Sequence, residues 1–294
     1  MKDRTIKEAL KRASFCLQKA SIEQPRLEAE YLLAHVLKTD RLTLFLTQDQ
    51  FLPSDSRLAF HNAVERRCQQ EPFAYIVGEK YFYGKCFHVN QDVLIPRPET
   101  ELVVDCALEW YDLLIKWHDR PIRCVDLGTG SGALAVTLAL QFPDSRLWAI
   151  DLSEASLKVA MHNAETHRVG NRIKFLQGNY LDAFDNATLK PKFHLIVSNP
   201  PYLSNEELET LPMGVKGYEP WLALDGGTNG LDGYQSILER LGEYVEMPAV
   251  LLMEVGCTQK EKVEKLCLNT GLFKSLQWRL DLAGWPRVIA GLMS

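Results

Sequence analysis

The stretch VDLGTGSG at 125–132 decides the fold of this 294-residue chain. A hydrophobic strand ends at Leu127, three alternating glycines follow, and an apolar helical run begins at Ser131. Glycines allow backbone amides to approach a ligand closely, and the N-terminus of a helix attracts negatively charged or strongly polar groups. The stretch therefore predicts a strand, loop and helix that bind a nucleotide-like ligand.

Helices and strands alternate on both sides of this loop. We expect helices over 99–116, from Ser131, from Ser153, and over about 230–244 and 258–270. The expected strands are IRCVDL, SRLWAID, RIKFLQ, FHLIVS, AVLLMEV, SLQWRLD and RVIAGLM. Such alternation predicts an α/β fold with a doubly wound, mostly parallel sheet covered by helices on both faces, and the last two strands form an antiparallel edge.

The first part of the chain has a different pattern. Thr5 and Glu8 have the spacing of a helix-capping box, and Pro25 and Pro53 each open a further helix. Residues 1–72 are therefore predicted to be a small helical domain. Between residues 73 and 98 the pattern becomes strand-like, with Gly78 and Gly84 as turn candidates, which predicts a β-hairpin linker before the main domain at 99–294.

Composition excludes several classes of protein. Hydrophobic residues make up 46% of the chain and charged residues 24%, as in ordinary globular proteins. Apolar runs are much shorter than the about 18 residues that span a bilayer, so we expect neither secretion nor membrane insertion. A net charge of −5 disfavours nucleic acid as the main ligand. The seven cysteines show no CxxC spacing, which favours buried thiols in a reducing compartment, a cytoplasmic protein and no metal site.

The spacing of the glycines narrows the choice of ligand. A dinucleotide fold favours G-x-G-x-x-G, whereas GTGSG is compact and fits S-adenosylmethionine better. Asp151 ends the next strand, 23 residues after Gly128, where a carboxylate can accept both hydroxyls of a ribose. Tyr180 lies where an aromatic ring could stack on adenine. Asp151 as the cap of the following helix and Tyr180 as a packed loop aromatic are the alternatives.

A second motif, SNPPY at 198–202, ends the strand FHLIVS. Prolines lack an N–H and fix φ, so Asn199 is held extended and the Asn199 and Pro200 carbonyls can point towards a substrate. These acceptors suit a planar conjugated NH2 group, whose nitrogen becomes a better nucleophile when its hydrogens are polarised. Carboxamides and adenine amines both meet this description.

At this point the chain resembles the HemK/PrmC glutamine methyltransferases, which modify peptide chain release factors. The resemblance rests on the residues 71–105, which contain IPRPETE, and on DLGTGSGALAV, SNPPYLS, EPWLALDGGTNGLDGYQSIL and DLAGWPRVIAG in that order. It implies the Rossmann-like fold of class I S-adenosylmethionine-dependent methyltransferases. It also implies that the chain methylates N5 of the glutamine in the Gly-Gly-Gln motif of class I release factors and releases S-adenosylhomocysteine, and that the helical domain at 1–72 docks the protein substrate. We expect the enzyme to act as a monomer and to need no metal.

The resemblance also assigns the site residues. It implies that the cofactor is bound by Gly128, Thr129, Gly130, Ser131, Gly132, Asp151, Tyr180 and Asn199. It implies that the acceptor glutamine is held by Asn199, Pro200, Pro201 and Tyr202. Asn199 and the Pro200 carbonyl would orient and polarise the amide, and Tyr202 would pack on its plane. Asn179 stands where the family commonly has an acidic residue.

Several residues and functions stay open. Arg97 and Glu99 are either cleft residues or, for Glu99, the start of the helix. Glu219, Pro220 and the glycines at 226, 227 and 230 form either a loop over the cleft or ordinary structure, and the same holds for Glu254 as a sheet-end carboxylate. The competing functions are methylation of a glutamine in a ribosomal protein, methylation of adenine amines in nucleic acid, and a cofactor-binding regulatory module without turnover.

Overall fold

A computed structural model describes residues 5–118, 121–185 and 190–294. Its α-helices are α1 Ile6–Lys19, α2 Pro25–Leu37, α3 Arg41–Leu46, α4 Ser54–Cys68, α5 Phe73–Val77, α6 Glu101–Trp117, α7 Ala133–Gln141, α8 Glu154–Thr166, α9 Asn205–Glu209, α10 Met213–Lys216, α11 Asp232–Tyr244 and α12 Lys260–Asn269. Its strands are β1 Glu79–Phe82, β2 Lys85–His88, β3 Arg123–Leu127, β4 Arg146–Asp151, β5 Ile173–Gln177, β6 Phe193–Ser198, β7 Val245–Glu254, β8 Phe273–Leu280 and β9 Pro286–Met293. Among these described residues, no helix combines the length and apolar character needed to cross a membrane.

The chain forms two compact units. The helical unit comprises Met1–Glu79 and Pro212–Tyr218, and the sheet unit comprises Lys80–Leu211 and Glu219–Ser294. In the helical unit, α1, α2 and α4 pack around a core that includes the fully buried Leu17, Leu32 and Leu33. The predicted capping box is confirmed, since Thr5 and Glu8 exchange side-chain to backbone hydrogen bonds at the start of α1.

Two helices in this region differ from the sequence-based expectation. The short helix α3 was not predicted, and it begins where Asp40 accepts a hydrogen bond from the Thr43 backbone N–H at 2.8 Å. The stretch Phe73–Val77 was predicted to be strand-like, but it is the helix α5. Pro72 precedes its first turn, and Gly78 ends it in the left-handed conformation at φ 76°, so local turn geometry overrides the strand preference of the aromatic and β-branched residues. Only β1 and β2 form the expected hairpin.

The sheet unit confirms the doubly wound, mostly parallel sheet. Its seven strands run in the order β5-β4-β3-β6-β7-β9-β8, in which β5, β4, β3, β6 and β7 are parallel and β9 is antiparallel to both of its neighbours, β7 and β8. Two buried clusters cover opposite faces. One includes residues of α6 and α7, and the other includes residues of α11 and α12. The helix expected at 99–116 starts as a 3-10 turn, Pro98–Thr100, and α6 continues it.

Strand order and register bring four chain segments to one edge of the sheet. From β3 the chain proceeds to β4 and β5 on one side, whereas β6 lies on the other side of β3. Ligands bind at such a reversal of strand order, beyond the carboxyl ends of the strands. Leu127 pairs with both Ile150 and Ser198, and Ser198 pairs with Met253. The residues that follow these strands are therefore neighbours at one edge.

Candidate active site

A cleft of about 410 Å³ opens at this edge of the sheet unit. Its volume lies within the range of about 300–1,000 Å³ that is usual for small-molecule sites. Its walls come from the chain before α6, from the loops after β3, β4, β5 and β6, and from the start of α11. The lining residues are 91–94, 96–97, 100, 128–131, 133–134, 151–153, 156, 178–180, 199, 201, 220, 222–223, 225, 232–233 and 236.

The glycine loop after β3 presents open backbone to this cleft. Gly128, Gly130 and Gly132 have φ values of 78°, 54° and 79°, which is the left-handed region that favours glycine. The backbone N–H groups of Gly128 and Thr129 donate to the Ile150 carbonyl at 2.9 and 2.8 Å and hold the loop against β4. Apart from Gly130 itself and its two chain neighbours, no described residue has a heavy atom within 4 Å of the position that a Cβ on Gly130 would occupy. A ligand can therefore approach the Gly130 backbone.

Asp126 anchors this loop from below. Its buried Oδ2 accepts hydrogen bonds from Thr129 Oγ1 at 2.7 Å and from the Ala135 backbone N–H at 3.1 Å. Its Oδ1 is buried and has no hydrogen-bond partner among the described residues. Burial raises the pKa of the Asp126 carboxyl to about 7. The side chain fixes the turn from β3 into α7.

Asp151 lies at the end of β4 and lines the cleft. Its Oδ2 accepts from the Gly130 N–H at 2.8 Å, and its Oδ1 accepts from the Ser153 N–H at 2.9 Å. The cap of α8 is Ser153, whose hydroxyl accepts from the Ser156 N–H at 3.2 Å. The Asp151 carboxylate is therefore not consumed as a helix cap, and each oxygen keeps acceptor capacity. Burial raises the pKa of Asp151, and its backbone hydrogen bonds oppose that shift.

Tyr180 and Asn179 form the wall beside the glycine loop. Tyr180 has φ 48°, and its Cε1 lies 3.7 Å from the position a Cβ on Gly128 would take. The Asn179 Nδ2 donates to Asp182 Oδ2 at 3.2 Å. Both residues line the cleft on the side of β5. The aromatic ring is thus next to the loop and near Asp151 at the end of the neighbouring strand.

Asn199 and Pro201 line the cleft, whereas Pro200 and Tyr202 are not among its lining residues. The Asn199 Nδ2 donates to Thr100 Oγ1 at 3.1 Å, and Thr100 Oγ1 donates to Glu254 Oε2 at 2.6 Å. The Tyr202 hydroxyl donates to the other oxygen of Glu254 at 3.3 Å. Asn199 Oδ1 has no hydrogen-bond partner among the described residues and remains an acceptor at the cleft.

The glycine-rich segment at 226–233 supports the backbone of the tetrapeptide Asn199–Tyr202. The Gly226 N–H donates to the Leu203 carbonyl at 2.9 Å, and a Cβ on Gly226 would lie only 2.8 Å from Tyr202 Cα. Gln259, which is buried, donates through Nε2 to the carbonyls of Tyr202 at 2.8 Å and Gly230 at 3.0 Å. This part of the segment lies against the tetrapeptide, and Leu222, Ala223 and Asp225 before it line the cleft.

The residues that the sequence left open now have defined contacts. Arg97 lines the cleft and forms an ion pair with the buried Glu219 at 2.5 Å, and Glu219 also accepts from the Ile95 N–H at 3.2 Å. Glu99 lies in the 3-10 turn before α6. The sequence analysis missed Thr100 and Gln259. Thr100 lies within the quoted IPRPETE stretch, so a signal existed, but the pairing with Asn199 requires the fold.

The fold and the site together define a class I methyltransferase. The fold resembles that of the hMettl16 catalytic domain, with 13% identity, a TM-score of 0.54 and coverage of 83% of this chain and 84% of that one. It also resembles a human methyltransferase 10 domain containing protein, with 15% identity, a TM-score of 0.51 and coverage of 71% and 88%. Family models for the methyltransferase small domain and the PrmC N-terminal domain match residues 112–212 and 8–78.

Full-length relatives narrow this class. The release factor glutamine methyltransferase of Bacillus subtilis is 38% identical over 290 residues, which cover 99% of this chain and 98% of the relative. The enzymes of the same name from Nitratidesulfovibrio vulgaris and Chlorobaculum tepidum are 37% and 40% identical, and they cover 97% and 89% of this chain and 94% and 89% of their own length. The chain belongs to the release factor glutamine methyltransferase family.

Proposed function

We propose that this chain transfers a methyl group from S-adenosylmethionine to N5 of the glutamine in the Gly-Gly-Gln motif of class I peptide chain release factors. The observation that carries the proposal is the hydrogen bonding of the Asn199 side-chain amide. Its amide NH2 is engaged by Thr100, so its carbonyl oxygen is the end available to accept from a substrate amide at the cleft. A carboxamide NH2 is the donor that such an acceptor requires.

The cleft residues fit S-adenosylmethionine. The open space over Gly130 admits a ligand to the loop backbone, and the Asp151 carboxylate offers acceptor capacity for the two ribose hydroxyls. Tyr180 offers an aromatic face beside the loop, and Leu134 and Leu152 supply apolar wall. Gly128, Thr129, Gly130, Ser131, Gly132, Asp151, Tyr180 and Asn199 would hold the cofactor. When bound, the cofactor supplies an electrophilic methyl group.

The remaining chemistry falls to the chain. Asn199 Oδ1 and the Pro200 carbonyl would accept hydrogen bonds from the two N–H groups of the glutamine amide. These hydrogen bonds would orient the amide nitrogen and raise its electron density. Pro201 forms the wall next to this acceptor, and Tyr202 would close the plane of the amide. The methylated nitrogen is strongly acidic, so it loses its proton to water and needs no dedicated base.

The proposed reaction also concerns the docking of the protein substrate, the cellular compartment and the second product. We propose that the helical unit docks the body of the release factor, because it contains none of the residues that line the cleft. All seven cysteines are free thiols, which is usual in the reducing cytoplasm where translation takes place. S-adenosylhomocysteine is the expected second product.

A transfer assay with labelled methyl groups tests the proposal. The purified chain is offered a class I release factor, the same factor with its motif glutamine replaced by alanine, a ribosomal protein and duplex DNA. We expect one methyl group on the motif glutamine, located by mass spectrometry of the peptide, and no transfer to the alanine variant. Faster transfer to the ribosomal protein or to adenine in DNA would overturn the proposal in favour of that substrate.

A further inference from the structure

The proposed acceptor Asn199 is hydrogen-bonded to Thr100, and Thr100 is in turn hydrogen-bonded to Glu254. We propose that they are positioning residues that determine which end of the Asn199 side-chain amide faces the acceptor glutamine. The inference deepens the proposed function and rests on it. Neither residue needs to touch the substrate, because each acts through the next hydrogen bond.

The three side chains form a short relay within the sheet unit. Glu254 ends β7, Thr100 ends the 3-10 turn before α6, and Asn199 follows β6. The Thr100 hydroxyl donates to Glu254 at 2.6 Å and receives the Asn199 NH2 at 3.1 Å. Thr100 and Glu254 are 5% and 1% exposed, so water cannot easily replace either partner.

The direction of the relay follows from the chemistry of its end. An ionised carboxylate only accepts hydrogen bonds, so the single hydroxyl hydrogen of Thr100 is committed to Glu254. Thr100 Oγ1 can then only accept, and the Asn199 amide must present its NH2 to it. Rotating the amide by half a turn would place a carbonyl oxygen against an acceptor and an NH2 group against the glutamine NH2. The relay therefore presents Oδ1 to the substrate.

The burial of Glu254 makes this direction sensitive to pH, and the groups around the carboxyl modify the effect. Thr100, Tyr202 and the positive charge of Arg287 on β9 favour its ionised form, Glu99 opposes it, and the Tyr234 hydroxyl of α11 donates to its backbone carbonyl. Burial is the largest effect and raises the pKa of Glu254 to about 7. A protonated Glu254 can donate to Thr100 Oγ1, which releases the hydroxyl hydrogen towards Asn199 and removes the preference for one amide orientation.

Matched substitutions of threonine test the relay. Thr100→Val keeps the shape and removes the hydroxyl, Thr100→Ser keeps the hydroxyl, and Thr137→Val makes the same change at a buried threonine of α7 whose hydroxyl has no hydrogen-bond partner among the described residues. The readouts are the single-turnover rate of methyl transfer to the release factor at saturating cofactor and the cofactor Kd.

We expect Thr100→Val to slow transfer by about 10- to 100-fold, the loss that a small misplacement of a reacting group causes. The cofactor Kd should change much less, because Asn199 is only one of the residues that would hold the cofactor. Thr100→Ser should recover most of the rate, and Thr137→Val should match the wild type. Equal rates for Thr100→Val and Thr100→Ser would overturn the inference. If the valine variant does not fold, Thr100→Ala is compared with Thr100→Ser instead. Absence of transfer by the wild-type chain would overturn the proposed function, which is a separate outcome.

The pH profile gives a readout that a purely structural role would not change. In the wild type, the transfer rate should fall as the pH drops below about 7, because Glu254 becomes protonated. Glu254→Gln cannot titrate, so the ratio of the wild-type rate to its rate should fall over the same interval. A ratio that stays constant from pH 6 to pH 8 would overturn the inference.

Discussion

Asn199 follows the last residue of β6, and its side chain reaches the cleft, so its substitution tests chemistry at little expense to packing. Asn199→Ala should reduce the single-turnover rate by about 10²- to 10³-fold, as when one preorganised hydrogen-bond partner of a transition state is removed. Asn199→Asp keeps acceptor oxygens but loses the NH2 that binds Thr100. Because Thr100 Oγ1 can only accept from Asn199, we expect the aspartate variant to be no faster than the alanine variant.

The control for these variants is an unchanged melting temperature in thermal denaturation. Near wild-type rates for both would contradict the role of Asn199. A rate for Asn199→Asp well above that of Asn199→Ala would instead mean that the acceptor oxygen acts without help from Thr100.

Glu254 also couples the stability of the fold to pH. Its pKa in the folded chain is raised from 4.5 to about 7, so the folded state holds a proton that the unfolded state releases. The stabilising contribution of that proton is fully present below about pH 4.5 and is lost as the pH rises through 7. From 1.36 kcal/mol per pKa unit, the loss in the free energy of unfolding is about 3 kcal/mol.

Urea denaturation at several pH values measures this contribution. Between pH 5 and pH 8 the free energy of unfolding should fall less in Glu254→Gln than in the wild type, by up to about 3 kcal/mol. The comparison with the wild type removes the contribution of Asp126, whose pKa is also raised to about 7 and which both proteins share. Parallel pH profiles for the two proteins would show that Glu254 titrates normally.

At the scale of elements, two glycines of the loop between β3 and α7, Gly130 and Gly132, have different surroundings. Both Gly130 and Gly132 have positive φ, so alanine at either position costs about 1–2 kcal/mol of backbone strain. A Cβ on Gly132 would also lie 3.0 Å from Ala160 Cβ, where α8 packs on the loop, whereas a Cβ on Gly130 would enter the open cleft. The free energy of unfolding of Gly132→Ala should therefore be lower than that of Gly130→Ala by about 1–3 kcal/mol, because the new methyl group overpacks the contact with α8.

For cofactor affinity we expect the opposite order, with Gly130→Ala more affected than Gly132→Ala. Calorimetric titration with S-adenosylmethionine should show the larger loss of affinity in Gly130→Ala, since its new methyl group occupies the ligand side of the loop. Equal affinities in the two variants, with both folded, would mean that the ligand does not approach Gly130.

The sequence allowed the elements with long-range order to be predicted better than the short local ones. Strands β4, β6, β7 and β9 carry apolar runs, and their flanking helices have clear starts, so the sheet class and a cleft at its carboxyl edge could be predicted from the sequence. Helix α3 has only six residues, and the sequence pattern did not predict it. The strand-like prediction for Phe73–Val77, which is α5, was wrong because these residues have the composition of a strand. Thr100 and Glu254 are 154 residues apart, and the hydrogen bond between them arises only from folding.

At the scale of the whole molecule, the proposed docking role of the helical unit predicts an effect on substrate binding. Leu42, Phe45 and Leu46 of α3 are 64–73% exposed, which is unusual for three large apolar side chains on one short helix. Phe45→Ser with Leu46→Ser should raise KM for the intact release factor by about tenfold, equivalent to about 1.4 kcal/mol of lost apolar contact. The kcat should stay within error, because α3 contributes no residue to the cleft.

The matched control is Leu268→Ser, an exposed leucine of α12 in the sheet unit. It should leave both kinetic constants unchanged. An unchanged KM in the α3 variant would assign those side chains to something other than the release factor.

The helical unit is assembled from two separate stretches of chain, which limits how it can be exchanged between relatives. The chain leaves the sheet unit after Leu211 and returns at Glu219, and the intervening Pro212–Tyr218 belongs with the helices. There the Tyr218 hydroxyl donates to the Gln69 carbonyl at 2.9 Å, and a Cβ on Gly214 would lie 3.0 Å from the Gln70 carbonyl oxygen. A chimaera joined at residue 79 would combine the first part of the helical unit, up to Glu79, from one parent with the segment Pro212–Tyr218 from the other parent. Recombination that preserves function should therefore need both segments to be inherited from the same parent.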